Sequence, residues 1–173
     1  MRFEKVSFDQ FKRDRYVNIA DYEWSYPVKT LERLYDSIKM PRQGTAESMG
    51  MDFYAPYPIT VPAKSEIIIP TGLRWVTEEG ENYGLIIVPR SGLGFKYGLR
   101  LVNTVGVIDA DYYKSDNEGH ILIKFYNPSK KDIQIDQWQG IAQGIILPYV
   151  ICEGAESENT RNGGFGSTDN KRK

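Results

Sequence analysis

The sequence predicts an all-β domain, because short apolar runs alternate with turn residues from residue 59 onward. Examples are Glu66–Ile69, Leu85–Val88 and Ile133–Ile135, with Pro70-Thr71-Gly72 among the intervening turns. Further runs are Leu99–Val102, Ile121–Tyr126 and Ile145–Leu147. Strands spaced about 8 to 12 residues apart, with turn signals between them, are typical of a β-barrel or a β-sandwich. With 173 residues, the chain is long enough for one such domain and an extension.

Residues 1–37, called the extension below, predict a different and partly helical structure. Ser7 can cap a short helix that carries Phe8 and Phe11 on one side. Residues 29–38 place apolar side chains at helical spacing. The link between these helices is aromatic, which is unusual for a disordered tail: Tyr16, Tyr22, Trp24, Tyr26. We therefore expect the extension to pack on the rest of the chain or on a neighbouring subunit; the alternative is that it binds another protein.

Composition excludes several classes of function. The formal net charge is −1, which argues against a partner such as nucleic acid or a membrane surface. No apolar run approaches the roughly 20 residues that span a bilayer, and residues 1–5 lack a secretory signal. The single cysteine, Cys152, is expected to be a small buried residue, and its isolation predicts a reducing cytoplasmic setting. With one Cys and one His, any metal should be a hard ion bound through oxygen.

Residues 103–113 combine an apolar run with two carboxylates. Val105, Val107 and Ile108 suit a buried strand, and Asp109 and Asp111 follow directly. A carboxylate at the end of an apolar strand is partly desolvated, and desolvation raises its pKa towards the range of a general base. The alternative is a strand that ends in a turn, since Asp favours turns.

Two further segments carry groups suited to phosphate. Residues 89–94, Pro-Arg-Ser-Gly-Leu-Gly, follow an apolar run and predict a tight loop that offers a cation, a hydroxyl and backbone N–H groups. Residues 161–168, Arg-Asn-Gly-Gly-Phe-Gly-Ser-Thr, form a pliable strip with one aromatic ring, which could close over a base and its phosphates. Taken alone, the strip could equally be a disordered tail.

In this order, these segments resemble the five motifs of the deoxyuridine triphosphatase (dUTPase) family. The motifs are residues 49–55, 89–94, 103–112, 140–143 and 161–168, numbered first to fifth below. The resemblance covers residues 38–168 and implies a jelly-roll-like β-barrel over residues 38–158. Residues 159–173 would then form a Gly-rich C-terminal arm with a mobile end, and residues 1–37 have no counterpart in the family's compact core.

The resemblance implies Mg²⁺-dependent hydrolysis of dUTP to dUMP and pyrophosphate. Asp109 would activate the water that attacks the α-phosphorus, and Arg90 would be the second catalytic residue. Residues expected to bind phosphate are Arg90, Ser91, Gly92, Gln143 and Arg161. Phe165 would lie over the uracil, with Gly166 and Ser167 in the same strip. Asp52 would contact the magnesium through an ordered water; the alternative for Asp52 is a turn residue.

Base selection is assigned to the strand that runs from Asn103 through Gly106 and Val107 to Ile108. An extended backbone offers alternating donors and acceptors that can imitate the pairing edge of uracil, and cytosine would leave buried groups unmatched. Tyr112 would pack on the deoxyribose and exclude a 2′-hydroxyl; cross-strand packing is the alternative for this side chain. In the family, such sites form between the chains of a homotrimer.

The chain departs from the family pattern in three places. Residues 114–119 make a longer polar turn, which we expect to project into solvent and to touch a neighbouring subunit, and His120 should start the next strand. The fourth motif has Trp138-Gln139-Gly140, without the usual basic residue. The fifth motif has one residue fewer after Arg161.

Two alternative functions fit parts of this sequence. The dCTP deaminases share this fold, but Lys124 stands where their catalytic glutamate would be, and a lysine cannot shuttle protons as a glutamate does at neutral pH. A non-catalytic regulatory or binding protein on the same scaffold is the second alternative, suggested by the extension and the long turn.

Overall fold

Strands are the main regular structure of the described chain, as the alternation of runs and turns predicts. The structure, a computed structural model, describes residues 1–16, 27–155, 157 and 163. The strands are β1 (Arg2–Lys5), β2 (Arg42–Gln43), β3 (Met51–Tyr54), β4 (Ile59–Val61), β5 (Glu66–Pro70), β6 (Leu73–Val76), β7 (Tyr83–Pro89), β8 (Arg100–Leu101), β9 (Gly106–Ile108), β10 (Leu122–Tyr126), β11 (Ile133–Ile135) and β12 (Gly140–Pro148). The helices are α1 (Phe8–Tyr16), α2 (Val28–Asp36) and α3 (Ser91–Tyr97), with a 3-10 turn at Tyr112–Lys114.

The largest sheet has the order β2-β3-β12-β7-β9, and all its pairings are antiparallel. Smaller sheets have the orders β5-β10-β8, β11-β4 and β1-β6. One apolar core lies between them, with large side chains such as Phe53, Trp75 and Phe125 fully buried. The fold is therefore all-β and jelly-roll-like, whereas closure into a barrel stays a prediction. In the largest sheet, β7 lies between the strands that carry the third and fourth motifs.

Several boundaries differ from the expectations. Residues 89–94 were expected to form a loop, but helix α3 begins at Ser91. The strand of the third motif is not buried within the chain, because Val107 is 63% exposed. Cys152 is exposed, so the prediction that it is buried was wrong. No helix in the described residues is long and apolar enough to cross a membrane.

The extension packs on the rest of the chain wherever it is described. Strand β1 pairs with β6, and Phe3 meets Phe53 edge to face with 5.5 Å between the ring centroids. Ser7 caps α1 as predicted, since the Gln10 N–H donates to its Oγ over 3.1 Å. Phe11 of α1 is fully buried in the core. Tyr22, Trp24 and Tyr26 lie outside the described residues.

The turn at residues 114–119 was expected to project into solvent, but it does not project freely. The Glu118 carboxylate accepts hydrogen bonds from the Ser7 N–H over 2.7 Å and from the Ser7 hydroxyl over 2.6 Å. Next to the turn, the buried His120 pairs with Asp14 of α1, with 2.5 Å between Nδ1 and Oδ2. The turn does not project because it folds back on the extension of its own chain; contact with a neighbouring subunit stays a prediction.

Candidate active site

Three predicted site residues meet across the largest sheet: Asp52 on β3, Gln143 on β12 and Arg90 just after β7. Arg90 Nη2 lies 3.2 Å from Asp52 Oδ2, and Gln143 Nε2 donates to Asp52 Oδ1 over 3.1 Å. The strand register causes the meeting, because Gln143 lies opposite both Asp52 and Val88. We call these three residues the polar cluster. It presents a cation and an amide together, which is a suitable arrangement for phosphate oxygens.

Gly140 makes room for the Arg90 side chain. A Cβ at Gly140 would lie 2.8 Å from Arg90 Nη1 and 2.9 Å from its Cδ, closer than real contacts allow. The fourth motif therefore supplies space for the cation of the second motif, in addition to the Gln143 amide. Sequence reasoning missed this relation, because the two residues come from separate strands with no local signal that links them.

Ser91 and Gly92 continue from Arg90 into the first turn of α3. Both are exposed, and a Cβ at Gly92 would meet nothing within 4 Å. The chain itself therefore leaves open space beside the polar cluster at Gly92. Ser91 stands next to Arg90 in sequence, so its hydroxyl can act on the same group of ligand oxygens.

The third motif lines a separate cavity of about 380 Å³, which lies within the usual range for small-molecule sites. The predicted residues that line it are Asn103, Gly106, Val107, Ile108, Asp109 and Tyr112. Apolar walls come from Ile87, Leu101 and Ile123. The six residues of the third motif that were predicted to contact the nucleoside or the attacking water are thus brought together at one cavity, called the third-motif cavity below.

Tyr112 is held in this cavity wall through its hydroxyl. Asn117 Nδ2 donates to the Tyr112 oxygen over 2.9 Å, and the hydroxyl lies 3.3 Å from the His120 carbonyl oxygen, to which it donates. The ring is 7% exposed. The residue that was expected to contact the sugar is therefore positioned by the turn at residues 114–119 and by His120.

Asp109 is exposed in the single chain, so the expected desolvation by its own strand is absent. Its carbonyl oxygen accepts the Tyr112 N–H over 3.0 Å, which starts the 3-10 turn.

Asp109 and the polar cluster lie at different levels of β7. Ile108 on β9 pairs with Leu85, so one further step of this register places Asp109 level with Gly84. Arg90 lies six residues further along the chain, which corresponds to about 20 Å at the rise of a β-strand. The residues lining the cavity include none of the polar cluster. In the described part of one chain, the polar cluster and the third-motif cavity are therefore separate, and they are called the two half-sites below.

The altered fourth motif contacts the end of the extension. Trp138 Nε1 donates to the Ser37 carbonyl oxygen over 3.1 Å, and the Lys39 ammonium lies 4.7 Å from the centroid of the Trp138 ring. Trp138 therefore stands at the junction of the extension and the sheet. The fifth motif, with Arg161, Phe165, Gly166 and Ser167, lies outside the described residues, so the roles of these four remain predictions.

Comparisons with known proteins show the family to which this chain is related. The dUTPase family model matches residues 36–169. The deoxyuridine 5′-triphosphate nucleotidohydrolase of Lactococcus lactis subsp. lactis is 37% identical over 134 residues, which are 76% of this chain and 88% of that protein. The enzyme of the same name from Burkholderia multivorans is 35% identical over 137 residues, covering 75% and 88%.

Solved structures lead to the same family. The crystal structure of dUTPase from Streptococcus mutans has a TM-score of 0.64 and 27% identity, and the match covers 89% of this chain and 100% of that one. A mutant dUTPase from phage phi11 of S. aureus, described with a coordinated structural Mg(II) ion, has a TM-score of 0.57 and 20% identity over 70% of this chain and 90% of that one, which shows the fold alone. The family model and the curated relatives cover most of the chain, and the chain belongs to the dUTPase family.

Proposed function

We propose that this protein hydrolyses dUTP to dUMP and pyrophosphate, with Asp109 as the general base. The observation that carries the proposal is the third-motif cavity, which is large enough for a nucleoside and has an exposed carboxylate in its lining. A base must be reachable by both water and substrate, and Asp109 meets that requirement. Family membership supports the same reaction.

In the proposed reaction, the Asp109 carboxylate takes a proton from a water molecule, whose oxygen then bonds to the α-phosphorus. The bond from that phosphorus to the bridging oxygen breaks, and pyrophosphate leaves with the electron pair. Arg90, Ser91 and Gln143 donate hydrogen bonds to the phosphate oxygens on which negative charge develops. Arg161 would add positive charge at the terminal phosphates.

Uracil is selected by the backbone between Asn103 and Ile108, and deoxyribose is selected by Tyr112. The position of these residues around the third-motif cavity supports both roles. A buried pairing edge can reject a mismatched base by about 10⁴-fold, because unmatched donors and acceptors are costly. Phe165 would cover the base from the C-terminal arm.

The chain's donor set fits magnesium that is held mainly by the substrate. Within the described ranges, no group of three His, Cys, Asp or Glu side chains could hold a metal ion. Both Asp52 oxygens already contact Arg90 or Gln143, so contact through a water suits Asp52 better than direct ligation. When bound, Mg²⁺ would neutralise charge on the triphosphate oxygens.

The active enzyme is proposed to be a homotrimer with shared sites. The distance of about 20 Å between the levels of Asp109 and Arg90 along β7 supports this, because the rise of a strand keeps the two half-sites of one chain apart. A second chain could bring its polar cluster to the first chain's cavity. The single cysteine supports a reducing, cytoplasmic setting for this assembly.

The direct test is product analysis with dUTP and Mg²⁺, comparing wild type, Asp109→Asn and the control Asp116→Asn. The amide keeps the shape of Asp109 but cannot accept the proton, so we expect turnover to fall by about 10²- to 10⁴-fold while dUTP still binds. Asp116 is an exposed residue of the turn and should be silent. Equal rates for wild type and Asp109→Asn would refute the base, and ammonia release from dCTP would favour the deaminase instead.

A further inference from the structure

The extension makes two contacts with the segment that follows Tyr112, and the mechanism uses neither of them. One is the buried pair of Asp14 and His120, and the other is the pair of hydrogen bonds from Ser7 to Glu118. We call these two contacts the brace. On the domain side, Glu118 lies in the longer turn that distinguishes this chain's third motif, and His120 follows that turn directly.

The Asp14–His120 pair is an ordered polar network inside the fold. His120 is fully buried, and its Nε2 accepts the Gly72 N–H over 2.8 Å. Nδ1 therefore carries the proton and donates it to Asp14, whose Oδ2 also accepts from Gln10 Nε2 over 2.8 Å. With both ring nitrogens engaged, the imidazole has one orientation, and its backbone is fixed with it.

The fixed backbone of His120 bears directly on Tyr112. The His120 carbonyl oxygen accepts from the Tyr112 hydroxyl over 3.3 Å, and Asn117 of the same turn donates to that hydroxyl over 2.9 Å. His120 is followed by Ile121 and Leu122, which line the third-motif cavity together with Tyr112. Movement of His120 would therefore move both the tyrosine and the part of the wall that Ile121 and Leu122 form.

The turn itself needs an external support. Glu118 has a φ of 59°, a left-handed conformation that is unfavourable for a residue with a side chain. Its carboxylate is tied to Ser7 at the start of α1, so the extension holds the strained residue in place. Gly119 is packed closely as well, since a Cβ there would lie 2.9 Å from the Tyr112 carbonyl oxygen.

We propose that the extension positions Tyr112 through this brace, so that Asp14 and His120 are positioning residues for the choice of deoxyribose over ribose. The inference rests on the proposed function for its kinetic consequence. The extension would then influence substrate selection in its own chain. If the extension only bound another protein, the cavity would be unaffected.

The test compares Asp14→Ala with the control Asp9→Ala, an exposed aspartate on the same helix. The measured quantity is the ratio of kcat/KM for dUTP to kcat/KM for UTP. Partial unfolding lowers both rates equally and cancels in the ratio, whereas a displaced Tyr112 admits the 2′-hydroxyl. We expect the ratio to fall by about tenfold in Asp14→Ala, as small displacements of positioning groups do, and to stay unchanged in Asp9→Ala.

Asp14→Asn is the conservative variant, because an amide oxygen can still accept the His120 and Gln10 hydrogen bonds. It should keep a ratio close to that of wild type. If Asp14→Ala does not fold, Glu118→Gln is the deciding variant. It weakens only the second contact of the brace, between Ser7 and Glu118, and should also lower the ratio. An unchanged ratio in a folded Asp14→Ala or, failing that variant, in Glu118→Gln would overturn the inference.

Hydrogen exchange supplies a readout that does not depend on turnover. In Asp14→Ala, the amides of residues 112–120 should exchange faster than in Asp9→Ala, because the turn has lost a buried support. If the wild type did not hydrolyse dUTP, the proposed function would be wrong. Hydrogen exchange would still test the brace in that case. Equal protection of this segment in both variants would contradict the brace itself.

Discussion

The polar cluster and the third-motif cavity differ in where their supports come from. Asp52, Arg90 and Gln143 contact one another across adjacent strands, so the sheet register alone assembles them. At Tyr112, the wall of the cavity is hydrogen-bonded to the turn and to His120, which themselves contact Ser7 and Asp14 of the extension. A motif in regular strands needs little beyond its own sheet, whereas a motif that ends in a long irregular turn needs a support from elsewhere.

The largest effect should come from removal of the cation in the polar cluster. Arg90→Met takes away a donor that faces the developing charge, and kcat/KM for dUTP should fall by about 10²- to 10³-fold. The matched control is Arg33→Met on the exposed face of α2, which should retain wild-type kinetics. A loss in Arg90→Met of less than tenfold would mean that the cluster does not contact the reacting phosphates.

Gly140→Ala tests whether the position of Arg90, rather than its charge alone, matters. The added Cβ meets the mobile end of a side chain that is 42% exposed, so Arg90 should swing away with little loss of stability. We expect kcat/KM to fall by about tenfold with an almost unchanged melting temperature. Gly44→Ala, whose Cβ would lie 3.8 Å from Ser48 Oγ, is the control.

The opposite pattern, a lower melting temperature with unchanged kinetics in Gly140→Ala, would show that Gly140 serves packing only.

A smaller effect is expected for the brace when the pH is lowered. Burial raises the pKa of Asp14, but hydrogen bonds from His120 and Gln10 outweigh burial and hold this pKa below its ordinary 3.8. Since the folded value is the lower one, the charged carboxylate stabilises the fold above pH 3.8, and this contribution is lost as pH falls through the folded value. The gap in unfolding free energy between wild type and Asp14→Asn should therefore shrink only in acid.

Denaturant titrations at several pH values measure this gap. A gap that narrows between pH 7 and pH 5 would contradict the lowered pKa of Asp14.

The residues of the polar cluster and of the cavity lining could be picked out from the sequence. The residues that hold the cavity wall in place could not. Asp52, Arg90 and Gln143 belong to compact motifs, and regular strands bring such motifs together by register. Asp14 and His120 are 106 residues apart, and nothing in either neighbourhood predicts that they meet. A lone His beside a strand fits a strand start as well as a buried pair.

Exposure was the other property that the sequence could not give. Val107 and Asp109 follow a pattern typical of a buried strand end, but both are exposed in the single chain. An apolar residue at a chain's surface and one in its core have the same sequence pattern when the surface is covered by another molecule. Cys152 was expected to be buried for another reason, because free cysteine is among the most often buried residue types.

Subunit mixing tests the central claim, that the half-sites of different chains form one active site, most directly. Asp109→Asn and Arg90→Met chains are unfolded together, refolded and assayed with dUTP, with each variant refolded alone as a control. If a 1:1 mixture assembles at random into trimers, a site that takes Arg90 from one chain and Asp109 from the next is intact in about a quarter of all sites, so the whole mixture should recover about that share of wild-type activity. Mixed trimers, verified by mass spectrometry, that stay as inactive as the separate variants would contradict the account.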